Sequence, residues 1–92
     1  MAGYFMNKDD YLRRLSRIEG QVRGLQRQVE SDTYCIDVLT QIAATTAALR
    51  SVAVGLLDEH IRHCVSTAGN DPSEAARLVE EATRAIERLI KS

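Results

Sequence analysis

Tyr11, Leu15, Ile18, Val22, Leu25 and Val29 recur at alternating intervals of four and three, which writes one apolar stripe along an amphipathic helix. Arg13, Arg17 and Arg27 fall off that stripe. Asn7, Asp9 or Asp10 can cap the start, each offering a side-chain oxygen to the unpaired amides of a first turn. Ser31-Asp32-Thr33 then breaks the pattern and supplies N-cap residues for a second helix. From Tyr34 to about Val65 there is no proline and one glycine, Gly55. Over this stretch Cys35, Leu39, Ile42, Thr46, Leu49, Ala53, His60 and Cys64 fall close to one line, with Val38, Leu56 and Leu57 beside it. Ala68-Gly69-Asn70 ends the run. Asp71-Pro72-Ser73-Glu74 opens a third helix with an N-cap, a proline at the first helical position and an acid three residues after the cap. Its apolar face is Leu78, Val79, Ala82, Ile86, Leu89 and Ile90. No segment makes a convincing strand. The pattern predicts an all-α chain, a single domain over residues 1–92 with helices at about 7–30, 34–65 and 72–91.

Length argues that such a chain does not stand alone. A compact globule of this size has a radius of gyration of about 12 Å, or roughly 32 Å across. A helix over 34–65 is about 48 Å long and projects beyond it. The expected solution is a homodimer in which the first and second helices of two chains form an antiparallel four-helix bundle. The centre of the second helix, Ala43-Ala44-Thr45-Thr46-Ala47-Ala48, is built of small side chains that let two backbones come close, and places the crossing there. Gly20 and Gly24, each costing about 1 kcal/mol against alanine in a helix, are expected to admit a neighbouring helix.

Composition narrows the picture. Apolar residues make up 45% of the chain, yet only three tyrosines and one phenylalanine are aromatic, so the core is thin and aliphatic. No run approaches the ~18 apolar residues of a membrane span, and no basic-then-apolar start suggests a secretory signal. A cytoplasmic protein without membrane or small-molecule substrate is expected, with its two cysteines reduced. Net charge is −1, so nothing global favours nucleic acid. Residues 8–27 are locally basic, however: Lys8, Arg13, Arg14, Arg17, Arg23 and Arg27 against Asp9, Asp10 and Glu19. That stripe is either a solvated face or a contact surface for polyanions.

Cys35, His60 and Cys64 carry the candidate chemistry. At about 100° per residue, His60 lies roughly 20° short of a whole number of turns from Cys35, and Cys64 roughly 20° past one. All three share a stripe, but a rise of 1.5 Å per residue holds Cys35 about 37 Å from His60. One chain cannot close the site. Two antiparallel chains can, since Cys35 of one then meets His60 and Cys64 of the other at each end. Two thiolates and one imidazole form a soft, three-coordinate set that suits Cu(I), whereas Zn²⁺ usually takes a fourth ligand. The first turn of a helix also favours the Cys35 thiolate. The competing reading is a buried structural cysteine beside a satisfied histidine. His63 reads as a surface histidine. Nothing resembles an oxyanion hole or a phosphate-binding glycine loop, so an enzyme is not expected.

Three stretches carry a resemblance: Arg14-Leu15-Ser16-Arg17-Ile18-Glu19-Gly20-Gln21-Val22-Arg23-Gly24, Tyr34-Cys35-Ile36-Asp37-Val38-Leu39-Thr40-Gln41-Ile42 and Leu56-Leu57-Asp58-Glu59-His60-Ile61-Arg62-His63-Cys64. In order and spacing they resemble the copper-sensing operon repressor (CsoR) family over nearly the whole chain. The resemblance implies an all-helical DNA-binding repressor without a helix-turn-helix, assembled as a dimer of dimers (a homotetramer). Such a repressor binds its operator DNA without metal and leaves it when the effector fills the intersubunit site, derepressing copper efflux or buffering genes. It implies Cys35, His60 and Cys64 as Cu(I) ligands, with Tyr34 and a third-helix glutamate behind them linking the site to the bundle. Glu81 aligns most naturally, while a one-residue gap selects Glu80. It implies a DNA face containing Arg14 and Arg17, with Arg13 and Arg50. Relatives that sense nickel or cobalt add an N-terminal amine and a nearby histidine and place His where Cys64 stands. Persulfide sensors lack the intervening histidine, and formaldehyde sensors use an N-terminal proline. Among these, Cu(I) matches this sequence best. Two other classes stay open: a thiol or persulfide redox sensor bridging Cys35 and Cys64 of opposite chains, and a metal-buffering bundle with no DNA role.

Overall fold

The computed structural model describes residues 7–91, with backbone alone for Cys64, Val65, Thr67 and Ala68. Three helices follow in order: α1 (Lys8–Glu30), α2 (Cys35–Ala68) and α3 (Pro72–Lys91), with no strand among the described residues. The all-α reading therefore holds, and each helix begins or ends within a few residues of where the pattern put it. The chain divides into two compact units, Asn7–Val52 and the residues from Ala53 onward.

In the first unit Tyr11 and Ile18 of α1 are buried, as are Thr45 and Val52 of α2, Val52 being only 2% exposed. Thr45 tolerates burial because its hydroxyl donates to the Gln41 carbonyl at 3.0 Å, one turn back in its own helix. The α1 stripe is only half used: Leu15, Val22 and Val29 stay exposed. On α2 the line covered by the chain itself runs through Val38, Gln41, Thr45, Ala48 and Val52. The neighbouring line that holds Cys35, Leu39, Ile42, Thr46 and Leu49 is open to solvent. A contiguous apolar face left open in this way marks an interaction surface. In the second unit Ala82 is buried and Leu78 and Leu89 are partly covered, while Val79, Ile86 and Ile90 are exposed.

Four expectations need correcting. Ser31 does not cap α2; its hydroxyl donates to the Arg27 carbonyl at 2.8 Å and so closes the end of α1, where carbonyls lack helical partners. Asp32 then turns the chain with φ +58. Asn7 occupies the N-cap position of α1 without a side-chain capping bond. At Gly20 an added Cβ meets nothing within 4 Å, and at Gly24 only the tip of Arg27, so among the described residues no other helix closes on those glycines. Finally, α2 over residues 35–63 is long and apolar enough, by length and composition, to cross a membrane. Counting consecutive strongly apolar residues missed this, because alanine and threonine interrupt the run without adding charge.

The start of α3 follows the sequence more closely. Asp71 Oδ1 accepts from the backbone amides of Ser73 at 3.1 Å and Glu74 at 3.4 Å, and from the Ser73 hydroxyl at 3.1 Å. The acid at the third position does not reach back to close a capping box. Glu74 instead takes two bonds from Arg77, at 2.6 and 3.2 Å. The Glu74 amide above all, then the Ser73 hydroxyl and amide, hold the Asp71 carboxyl below its ordinary range. A carboxylate whose folded pKa is depressed stabilises above its unfolded pKa and loses that contribution as pH falls through the folded value. Asp71→Ala is therefore expected to lower the melting temperature at pH 7, with the deficit shrinking in acid below the ordinary aspartate range. Circular dichroism melts of both proteins across pH check this; a deficit independent of pH would show that the cap does not act through its charge.

Candidate functional site

Cys35 opens α2 and its thiol is free and exposed. It heads the uncovered line of that helix, so no side chain of its own unit shields it. Tyr34 immediately precedes it: its carbonyl accepts from the amides of Asp37 at 3.0 Å and Val38 at 3.2 Å, starting the helix, while its ring is exposed.

His60 sits in the second unit, on α2 facing α3. It lines an apolar cavity of about 310 Å³ with Ile61, Leu78, Val79, Ala82 and Ile86. Its Nε2 approaches Glu81 Oε1 of α3 at 3.4 Å. Glu80, one residue earlier, points elsewhere and accepts from Arg84 at 2.7 Å. Glu81 has a second neighbour, Arg77 Nη1, 3.6 Å from its other oxygen. Cys64 lies one turn beyond His60 on α2, and its side chain lies outside the described residues. His63 is half-buried rather than a surface residue. Among the described residues no three His, Cys, Asp or Glu side chains gather into a metal-binding group.

The basic residues of the first unit differ in how committed they are. Arg14 is the most anchored: its Nη2 donates to the Ser51 hydroxyl at 2.8 Å, its Nη1 lies 4.0 Å from Asp10, and its guanidinium stands 5.9 Å from the centre of the Tyr11 ring. Arg13 pairs with Asp10 at 3.5 Å in an exposed contact of the kind that contributes little. Arg17 and Arg50 are exposed and make no ion pair or hydrogen bond among the described residues. Arg14 and Arg17 share a cleft of about 200 Å³ with Gln21 and Ser51. Neither Gln21 nor Ser51 stood out in the sequence. Ser51 is 37 positions from Arg14, and no local pattern reports such a pair.

A family model described as metal-sensitive transcriptional repressor matches residues 7–91. Over 92 residues the chain is 56% identical to the copper-sensing transcriptional repressor RicR of Mycobacterium tuberculosis, covering 98% of this chain and 95% of that one. It is 56% identical over 61 residues to the copper-sensing transcriptional repressor CsoR of Bacillus subtilis, covering 66% of this chain and 60% of the relative. Among solved structures, the copper-sensing repressor CsoR with Cu(I) from Geobacillus thermodenitrificans NG80-2 matches with a TM-score of 0.79 and 43% identity. That match covers 89% of this chain and 84% of the other. The chain belongs to the metal-sensitive transcriptional repressor family.

Proposed function

We propose that this protein is a Cu(I)-responsive transcriptional repressor, acting in the cytoplasm, which holds operator DNA when metal-free and releases it when Cu(I) is bound between subunits. The observation that carries the reading is the match over 89% of the chain to a structure holding Cu(I), in a sequence whose Cys35, His60 and Cys64 share one helical stripe. The similarity over residues 7–91 supports treating the chain as one functional domain.

The donor set fits the ion: two thiolates and an imidazole give the soft, low-coordinate environment in which Cu(I) is stable. Because α2 is a single helix, Cys35 cannot join the His60 and Cys64 of its own chain. The third donor therefore comes from a second copy. The exposed line of α2 supports such pairing, since Leu39, Ile42 and Leu49 find no cover within one chain. Packing that line against its counterpart also accounts for the apolar length of α2 without a bilayer. The homodimer, and its assembly into a tetramer, belong to this proposal.

Each residue then has a role. Cys35 and Cys64 supply thiolates. With its proton on Nε2 toward Glu81, His60 keeps the Nδ1 lone pair for the ion. Tyr34, exposed next to Cys35, and Glu81 on α3 connect the site to the rest of the bundle. Arg17 and Arg50 offer uncommitted guanidinium groups to phosphate, and Arg14 and Arg13 extend that face. Release is linkage: the bundle geometry that the ligands favour must bind operator less well. Moving the operator from almost wholly occupied to almost wholly free needs about 5.5 kcal/mol of differential binding.

Fluorescence anisotropy of a labelled operator, with and without Cu(I), tests the reading. Tight binding without the ion and release with it are expected, and X-ray absorption of the loaded protein should report three donors, two of them sulfur. Equal operator affinity in both states would end the proposal. The thiol-redox alternative gives His60 no task, and the copper-sensing relatives do not favour it.

A further inference from the structure

The α3 helix carries a chain of charged contacts that neither the ligand set nor the DNA face explains. Arg77 grips Glu74 with two donors: Nη2 reaches Oε1 at 2.6 Å and Nε reaches Oε2 at 3.2 Å. A planar guanidinium held at two points has little freedom to turn. Its remaining Nη1 stands 3.6 Å from Glu81 Oε2. The other oxygen of that carboxylate stands 3.4 Å from His60 Nε2. Glu74 in turn sits in the first turn of α3, which Asp71 fixes through the amides of Ser73 and Glu74. Residues at intervals of three and four share one face of a helix, so Glu74, Arg77 and Glu81 form a continuous row.

We infer that Arg77 is a positioning residue for His60: anchored on Glu74, it holds the Glu81 carboxylate with one oxygen committed to its own guanidinium and the other turned to the imidazole. This rests on the Cu(I)-repressor reading for its consequence, though not for its geometry. Glu81 is 55% exposed at its side chain and has several rotamers open to it. Without Arg77, nothing described on α3 constrains which of them it adopts, and water competes for both oxygens. With Arg77 in place, a carboxylate oxygen stays at Nε2, the proton is kept on that nitrogen, and Nδ1 is left as the donor. In this role Arg77 acts through Glu81, the carboxylate that its Nη1 faces at 3.6 Å.

A double-mutant cycle on Cu(I) affinity, measured by competition with a chromophoric chelator, tests this. Glu81→Gln should weaken Cu(I) binding by roughly 10–100-fold, the usual effect of losing a group that orients a ligating histidine. Arg77→Met should weaken it by about three- to tenfold, a fraction of that loss. In the Glu81→Gln background, Arg77→Met should cost nothing further, because the residue through which it acts is gone. Arg77→Lys, which keeps charge and loses the fork, should fall between. The pairs are solvent-exposed, so melting temperature and metal-free operator affinity should stay at wild-type values in Arg77→Met. Wild-type Cu(I) affinity in Arg77→Met, or an equal loss with and without Glu81, would overturn the inference. Nitrogen-15 chemical shifts of the His60 ring in the metal-free protein give a second readout. They should show the Nε2-protonated form dominant in wild type and depleted in Arg77→Met, and identical populations would overturn the inference. A wild-type protein that failed to bind Cu(I) would defeat the copper reading, and the nitrogen-15 comparison would still decide the role of Arg77.

Discussion

Cys35→Ala is expected to bind operator within about twofold of wild type and to show no release at any Cu(I) concentration that empties the wild-type complex. The first half follows from exposure. Cys35 heads a line of α2 that its own chain leaves open, so removing its sulfur creates no cavity in that chain. The second half follows from coordination. Taking one donor from a three-donor set should cost more than the roughly 10–100-fold typical of losing a group that merely supports a ligand. Release demands a differential of about 5.5 kcal/mol, so even a partial loss of ligation leaves the operator occupied. His60→Ala should behave in the same way, provided its partly covered site repacks. Anisotropy titrations with Cu(I) read both variants. Full release by Cys35→Ala would refute its assignment as a ligand while leaving the repressor reading intact.

A second large effect is expected at Arg17. Each phosphate contact removed should reduce the slope of log affinity against log salt by about 0.9. Each dimer on the operator, presenting the residue twice, should lose about 1.8 with Arg17→Ala, and Arg17→Glu should lower affinity by at least tenfold at about 0.1 M salt. Arg17 is the cleaner probe, because it has no ion pair or hydrogen bond to disturb among the described residues. Arg14→Ala also removes the bond to Ser51 and the contact with the Tyr11 ring, so its loss mixes binding with packing. An unchanged salt slope in Arg17→Ala would remove that residue from the DNA face. Unchanged operator binding after reversing both Arg14 and Arg17 would favour a metal buffer with no role on DNA.

How much of this was legible beforehand depended on how local the cause is. Helix positions follow from neighbours in sequence: the 3.6-residue period of Tyr11 to Val29, the cap at Asp71 with Pro72 behind it, and Gly69, whose φ of +58 suits the end of α2. The alignment of Cys35, His60 and Cys64 on one stripe is likewise arithmetic on a single helix. Burial was less legible. Two adjacent lines on α2 are both apolar, and the sequence does not distinguish the one that packs within the chain from the one left open; the structure puts Thr45 and Val52 inside and leaves Leu39 and Leu49 out. Long-range polar pairs were not legible in local pattern. Ser51 with Arg14 is set by the approach of separate helices, whereas Glu81 over Glu80 was favoured by the family resemblance and lies 3.4 Å from His60. Arg77 carried a faint signal, three residues after one acid and four before another, but such spacing occurs on many solvated helices and points to no histidine.

The apolar length of α2 gives Arg50 a second importance. Between Asp37 and Asp58 it is the sole charged residue, and it falls near the middle of that stretch. About 20 uncharged residues are enough for insertion into a lipid bilayer, and an arginine at the centre of such a segment opposes insertion by about 2.5–3.5 kcal/mol. Within this stretch, opposition to a lipid environment therefore rests largely on one guanidinium. Lysine is the informative replacement there, since a neutral side chain would remove both the phosphate contact proposed for Arg50 and the charge that opposes insertion.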